Sequence, residues 1–222
     1  MEHLATRNWL INVRGVLFNM DGTLVDSSAV VEALWGAFAR KYDLDIGELL
    51  DYSHGRQTRD TVFRFLPDDL DPHAAAIEFQ DEELFRLDGI REIGGAAAFV
   101  HEMISRVPVA IVTSAARQLA LRRLRAAGVG VPSLVIAAED VKKGKPDPEG
   151  YIIAAARLGI RIEDCVIFED ADAGIDAAIA SGGRVVVVGQ RARVRNGIAS
   201  VADFRDLSVL GNRDTDTVEI DY

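Results

Sequence analysis

The chain has 222 residues, 49% of them hydrophobic, with 25 Lys and Arg against 35 Asp and Glu and a formal charge of -10. That is enough for one domain with an inserted module, or for two small domains. The acidic balance argues against nucleic acid and membrane surfaces as partners, while a small anion at a local basic site stays open. Cys165 is the one cysteine, so no intramolecular disulfide forms. The N-terminal stretch lacks a signal-peptide layout, and no apolar run approaches the roughly 20 residues of a membrane span. A soluble, cytoplasmic protein is expected.

In chain order, near-continuous apolar runs occupy 14–19, 108–114, 133–138, 164–170 and 183–189. Strands buried on both faces of a parallel sheet have this composition. Helices are expected between them. One spans 115–127 and stops at Gly128. One spans 148–158, with Asp147 as N-cap, Pro148 in the first position and Gly159 after the end. One spans 171–180, before Ser181-Gly182-Gly183. Strand and helix in alternation predict an α/β fold, a doubly wound, Rossmann-like parallel sheet.

The interval after the first strand is too long for a single crossover, and no strand is expected between 25 and about 94. Val30, Val31, Leu34, Trp35, Phe38 and Tyr42 share one helical face, and a second helix starts at Asp71-Pro72 and runs to about Phe85. The expected organisation is an α/β core at 11–24 and 92–210, a helical cap at 25–91 inserted into it, and a polar tail at 211–222. The tail is either frayed or a small edge strand.

Open α/β sheets bind ligands beyond the carboxyl ends of their strands. The first strand ends at Asn19, with Asp21 two places on. The second ends at Thr113 and Ser114, and the fourth at Glu169 and Asp170. The loop after the third holds Lys145 between Gly144 and Pro146. Such a rim suits an anion together with a hard cation. Asp170, the Asp21 carbonyl and the residue-19 side chain offer oxygens for Mg²⁺, with Glu169 either a ligand or one step removed. The Thr113 hydroxyl, the Ser114 N–H at a helix N-terminus and the Lys145 ammonium offer donors for phosphate. Asp21 has the position of a general acid and then base. The plainer alternatives are turn formation by Asn19 and Asp21 and helix capping by Thr113 and Ser114. Arg117, Arg122, Arg123 and Arg125 are expected to form a solvated or salt-bridged helical face.

The stretches "FNMDGT", "IVTS", "GKP" and "FED", in that order, resemble the haloacid dehalogenase superfamily of phosphohydrolases, over residues 14 to 210. "SHGRQTRDTVFRFLP", "AIVTSAA", "VKKGKPDPEGY" and "FEDADAGIDAA" are similar to its sugar-phosphatase branch, which includes 2-deoxyglucose-6-phosphate and glycerol-3-phosphate phosphatases. The resemblance implies Mg²⁺-dependent hydrolysis of a small sugar or polyol phosphate through an aspartyl-phosphate. It makes 53–60 the specificity loop of the cap, with His54, Arg56 and Thr58 as substrate contacts, and turns Glu32 and Trp35 toward the cleft. A monomer or weak homodimer is expected.

Residue 19 departs from that pattern, because the family carries a nucleophilic Asp there. An amide is a far weaker nucleophile, so very low turnover is expected. Two explanations stand: an Asp-to-Asn substitution that holds substrate unreacted, or a natural sugar-phosphate-binding pseudoenzyme. A hexose phosphomutase ranks third, since those relatives carry a histidine on the first cap helix and 28–40 has none.

Overall fold

The computed structural model describes residues 10–193, 195–210 and 217–221. Its centre is a six-stranded parallel sheet. In spatial order the strands are Leu134–Ile136 (β6), Val109–Val112 (β5), Gly15–Phe18 (β2), Cys165–Glu169 (β7), Arg184–Val188 (β8) and Ala199–Val201 (β9). From β2 the chain builds outward through β5 to β6, then returns to the other side of β2 for β7, β8 and β9. The direction therefore reverses at β2, which places the crevice of the sheet over the carboxyl end of that strand.

The apolar runs form strands because both faces of the sheet are covered. Val16, Phe18, Val166 and Phe168 point to one face, under Ala96–Ile104 (α5) and Arg117–Ala126 (α6). Leu17, Ile167 and Cys165 point to the other, under Glu149–Leu158 (α7) and Asp172–Ser181 (α8). Phe18 and Phe168 stack at 5.2 Å between ring centroids, with Phe99 edge-on to both at 6.1 and 5.6 Å. The five expected strands are present with slightly shorter bounds. The sixth, β9, was not anticipated: its three residues are only partly covered and carry no apolar run.

Residues 28–85 form four helices, Ser28–Tyr42 (α1), Ile46–Ser53 (α2), Thr58–Phe65 (α3) and Pro72–Phe85 (α4), which occupy the place of the expected cap and are called the cap by that position. Its own core joins Leu34, Trp35, Phe38, Leu49, Val62 and Phe79, with Trp35 stacked on Phe79 at 4.0 Å. The Asp71 side chain accepts from His73 N and opens α4 at Pro72. Contrary to expectation, two strands lie in 25–94. Val25–Asp26 (β3) pairs antiparallel with Arg91–Glu92 (β4) where the chain enters and leaves the cap. Two residues are too few to show periodicity, and backbone pairing with the Arg91–Asp26 ion pair at 2.8 Å holds them.

A second, antiparallel sheet has the order Leu10–Val13 (β1), Val218–Asp221 (β11), Ser208–Leu210 (β10). The tail thus supplies a central strand rather than an edge strand. Val218 and Ile220 are buried and Glu219 is exposed, so it is amphipathic at period two despite its acidic composition. Residues 211–216 and 222 of the tail lie outside the described residues.

Phe168 is fully buried in the aromatic cluster between the sheet and α5. Phe168→Ala is expected to cost about 3–5 kcal/mol of stability, read as a lower urea midpoint at unchanged slope.

Candidate active site

At the end of β2 the chain turns sharply. Leu24 N and Val25 N both donate to Met20 O, and Gly22 adopts a φ of 79°. A Cβ at Gly22 would lie 1.9 Å from Asp170 Oδ2, so only glycine allows this turn to pack against the end of β7. The turn buries Asn19, whose amide is fully engaged. Its Nδ2 donates to Asp21 O at 2.9 Å, Thr23 Oγ1 at 3.1 Å and Asp170 Oδ1 at 2.8 Å, and its Oδ1 accepts from Lys145 Nζ at 2.8 Å. Lys145 is 6% exposed. Its other two donations go to Glu169 Oε1 at 2.6 Å and Val112 O at 3.2 Å.

Glu169 is completely buried and turns away from Asn19. It accepts from Lys145, from the Tyr151 hydroxyl at 2.8 Å, and from the backbone N–H groups of Asp170 and Ala171. A Cβ at Gly174 would sit 1.7 Å from Glu169 Oε1, so the carboxylate fits only because α8 has no side chain there. Burial, followed by the Glu169 charge, pushes the Asp170 carboxyl up to about 7, while Arg191 pulls the other way from 3.2 Å. Burial and Glu169 likewise push the Tyr151 phenol well above its usual value.

At the end of β5, Thr113 Oγ1 accepts from Ala115 N at 3.1 Å, which leaves its own proton to donate. Ser114 Oγ donates to Gly55 O of the cap at 2.8 Å. Neither residue caps a helix. The expected helix at 115 starts instead at Arg117, whose N–H is received by Glu139. Ser114 therefore lies in the turn before α6 rather than at its N-terminus. The loop between α2 and α3 closes over this rim and bounds a cleft.

His54 and Arg56 line that cleft. Burial, then Arg191, lowers the His54 imidazole below its usual value. The Arg56 guanidinium stacks over Tyr52 and lies 3.5 Å from Lys145 O. Thr58 also borders the cleft, but its hydroxyl is spent on Glu83 Oε2 at 2.9 Å. Trp35 forms part of the lining; Glu32 is solvent-exposed and does not.

The largest departure from expectation is Arg123. Expected on a solvated or salt-bridged helical face, it is salt-bridged but buried, at 2% exposure, and lines the cleft. Its Nη1 donates to Asp21 Oδ1 at 3.0 Å and its Nη2 to Glu83 Oε1 on the cap at 3.3 Å; Ser27 Oγ also donates to Asp21 Oδ1, at 2.6 Å. A sequence signal for this existed. Leu119, Ala120, Arg123 and Leu124 form one buried stripe of α6, whereas Arg117, Arg122 and Arg125 lie off it. An arginine in the apolar stripe of a helix requires buried acceptors.

The three oxygens of Asp21 O, Thr23 Oγ1 and Asp170 Oδ1 converge on one point, and the Asn19 N–H₂ group occupies it. A small hard cation needs oxygens there. Turning the amide over would offer Oδ1 to a cation but set Nδ2 against the Lys145 ammonium, donor against donor. As the chain stands, these residues do not fit Mg²⁺; with a carboxylate at position 19, one oxygen for Lys145 and one for a cation, they would. Among the described residues no cluster of three His, Cys, Asp or Glu side chains forms a metal site elsewhere.

Residues 13–182 match the family described as haloacid dehalogenase-like hydrolase. Hexitol phosphatase A of Escherichia coli is 36% identical over 79% of this chain and 82% of its own length. 2-Deoxyglucose-6-phosphate phosphatase 1 of Saccharomyces cerevisiae is 35% identical over 75% of this chain and 76% of its own. Among solved structures, CbbY of Rhodobacter sphaeroides in complex with phosphate superposes with a TM-score of 0.70 over 87% of this chain and 96% of its own, at 22% identity, a likeness of fold.

Two outcomes are expected. The Asp170 carboxyl titrates near 7 in the fold and near 3.9 when unfolded, so the native state holds the extra proton between those values. Stability from this group is therefore full below about pH 4 and is lost as pH rises through about 7. The urea midpoint should fall between about pH 4 and 7, and Asp170→Asn should flatten that fall; an unchanged slope removes Asp170 as its source. Asn19→Asp sets a second carboxylate beside Asp170, so its Tm in a chelator should drop by several degrees. Millimolar Mg²⁺ should raise that Tm while moving the Asn19 protein little.

Proposed function

The chain belongs to the haloacid dehalogenase-like hydrolases, and from that premise we propose that its site is built to remove phosphate from a small sugar or polyol phosphate. In the Asn19 form it holds such a ligand with little or no turnover. One observation carries the reading. The Asn19 side chain lies 2.8 Å from the Lys145 ammonium on one corner and 2.8 Å from the Asp170 carboxyl on the other, at the switch point of the sheet and beneath the cap cleft. The sugar-phosphate and hexitol names of the relatives support the substrate class.

With Asp at position 19, a carboxylate oxygen attacks phosphorus and the bond to the leaving oxygen breaks. Asp21 gives that oxygen a proton, then takes one from the water that attacks the aspartyl-phosphate and regenerates the carboxylate. The Thr113 hydroxyl and the Ser114 N–H hold the phosphoryl oxygens, and the Lys145 ammonium, fixed by Glu169, acts on them through its positive charge. In that form the Asp21 carbonyl, Asp170 and the residue-19 carboxylate would hold Mg²⁺, which would supply further neutralisation of phosphoryl charge. With Asn19 the nucleophile is lost and the amide N–H takes the cation's place. This favours the sugar-phosphate-binding reading for the chain as it stands. A hexose phosphomutase remains the weaker alternative.

The proposal carries with it the division into a core at 11–24 and 92–210 and a cap at 25–91, a cytoplasmic setting, and a monomer or weak homodimer. No described helix is long and apolar enough to cross a membrane.

The test is phosphate release from hexitol, 2-deoxyglucose and glycerol phosphates in the presence of Mg²⁺. Asn19→Asp should gain several orders of magnitude over the parent. Asp21→Asn added to it should then lose about 10²–10⁴-fold in kcat. A revertant that stays inert on every compound, while the parent binds some of them, defeats the enzyme reading.

A further inference from the structure

The cleft is also lined by a buried ion pair, Glu83 with Arg123, that the phosphate chemistry above does not use. Glu83 comes from the cap helix α4 and is 7% exposed. Thr58 holds its Oε2 at 2.9 Å and Arg123 its Oε1 at 3.3 Å, while the other arm of Arg123 reaches Asp21. One guanidinium thus stands between two carboxylates, so this end of the cleft carries a net charge of about minus one when both are ionised. Arg123 Nε is buried and has no hydrogen-bond partner among the described residues. Burial pushes the Glu83 carboxyl above its usual range and Arg123 pulls it back; hydrogen-bond donors brought by a ligand act in the same direction as Arg123.

We propose that Glu83, held by Arg123 and Thr58, is a specificity-determining residue that accepts hydrogen bonds from hydroxyls on the carbon chain of the ligand. A carboxylate has about four acceptor positions, and two are taken. The free positions on the cleft side suit neutral O–H donors. A second phosphate or a carboxylate there meets like charge in a poorly hydrated wall and is rejected. Thr113 and Ser114 thus receive the phosphate and Glu83 receives the polyol within the same cleft. Its ligand class is a monophosphate with a hydroxylated, otherwise uncharged body. Because Glu83 lies on the cap and Asp21 on the core, seating that hydroxyl also joins the two across Arg123. The inference rests on the phosphate reading above.

Titration calorimetry of the protein as it stands separates the two claims. Four probes suffice: inorganic phosphate, glucitol 6-phosphate, n-hexyl phosphate and fructose 1,6-bisphosphate. The parent should prefer glucitol 6-phosphate to the other two organic phosphates. Glu83→Gln should weaken glucitol 6-phosphate by about tenfold or more. It should leave inorganic phosphate unchanged and strengthen the bisphosphate, a gain that a damaged fold does not produce. If Glu83→Gln keeps the parent's ratio of glucitol 6-phosphate to hexyl phosphate, the hydroxyl role is overturned and the phosphate reading survives. If the parent binds none of the four, the phosphate reading falls and this inference with it. Thr58→Val keeps the Glu83 charge and repeats the test with little risk to folding. A smaller loss for glucitol 6-phosphate is expected, and no loss overturns the proposal.

Discussion

A lysine ammonium buried to 6% exposure must be met by acceptors on every donor, and that requirement organises the whole rim. Lys145 finds a carbonyl at the end of β5, a carboxylate at the end of β7 and the Asn19 amide after β2. Three neighbouring strands must therefore finish at the same level, which the parallel registers of β2 with β5 and with β7 provide. Glu169 in turn is saturated by Tyr151 from α7 and by two backbone N–H groups at the start of α8. The buried cation thus couples the sheet to helices on one of its faces, and the aromatic cluster holds the other.

The sheet, its helices and the residues of the rim were legible because their signals are local. Uninterrupted apolar runs mark two-sided strands, and Pro72 after Asp71 and Gly159 after α7 mark helix ends through their own backbone limits. The features that sequence reading lost depend on partners distant in the chain. β3 and β4 are two residues each and exist through mutual pairing, and the acidic tail becomes a central strand only because β1 and β10 flank it. The start of α6 moved because Glu139, twenty-two residues away, receives the Arg117 N–H in place of a local cap.

Arg123 shows a different kind of loss. Four arginines close together in α6 invite treatment as one basic face, yet helical periodicity separates one of them from the rest. Its buried position has meaning only beside Glu83, forty residues earlier on another module, and Asp21, a hundred and two earlier. Thr58 was legible as a cleft residue, but its role shifted for the same reason: the hydroxyl faces Glu83 and acts through it. Charge pairs that cross between core and cap are thus the least visible part of such a site in sequence, and the part most able to set which ligand body it accepts.

The amide at residue 19 closes the argument about the cation. Two carboxylates 2.8 Å apart repel unless something positive lies between them, and in a buried site that repulsion is weakly screened. An amide puts an N–H at that position, so Asp170 meets a donor there rather than a second negative charge. Arg191 meets its second oxygen and Thr23 shares the first. Under the proposed reading, an amide in place of a carboxylate would remove both the nucleophile and the electrostatic demand for a cation, while the Lys145 contact on the other corner of the amide is kept. On that reading phosphate recognition and phosphate chemistry would separate at a single side chain: the donors proposed to hold the ligand remain, and the pair of carboxylates that would make the site both reactive and metal-dependent does not.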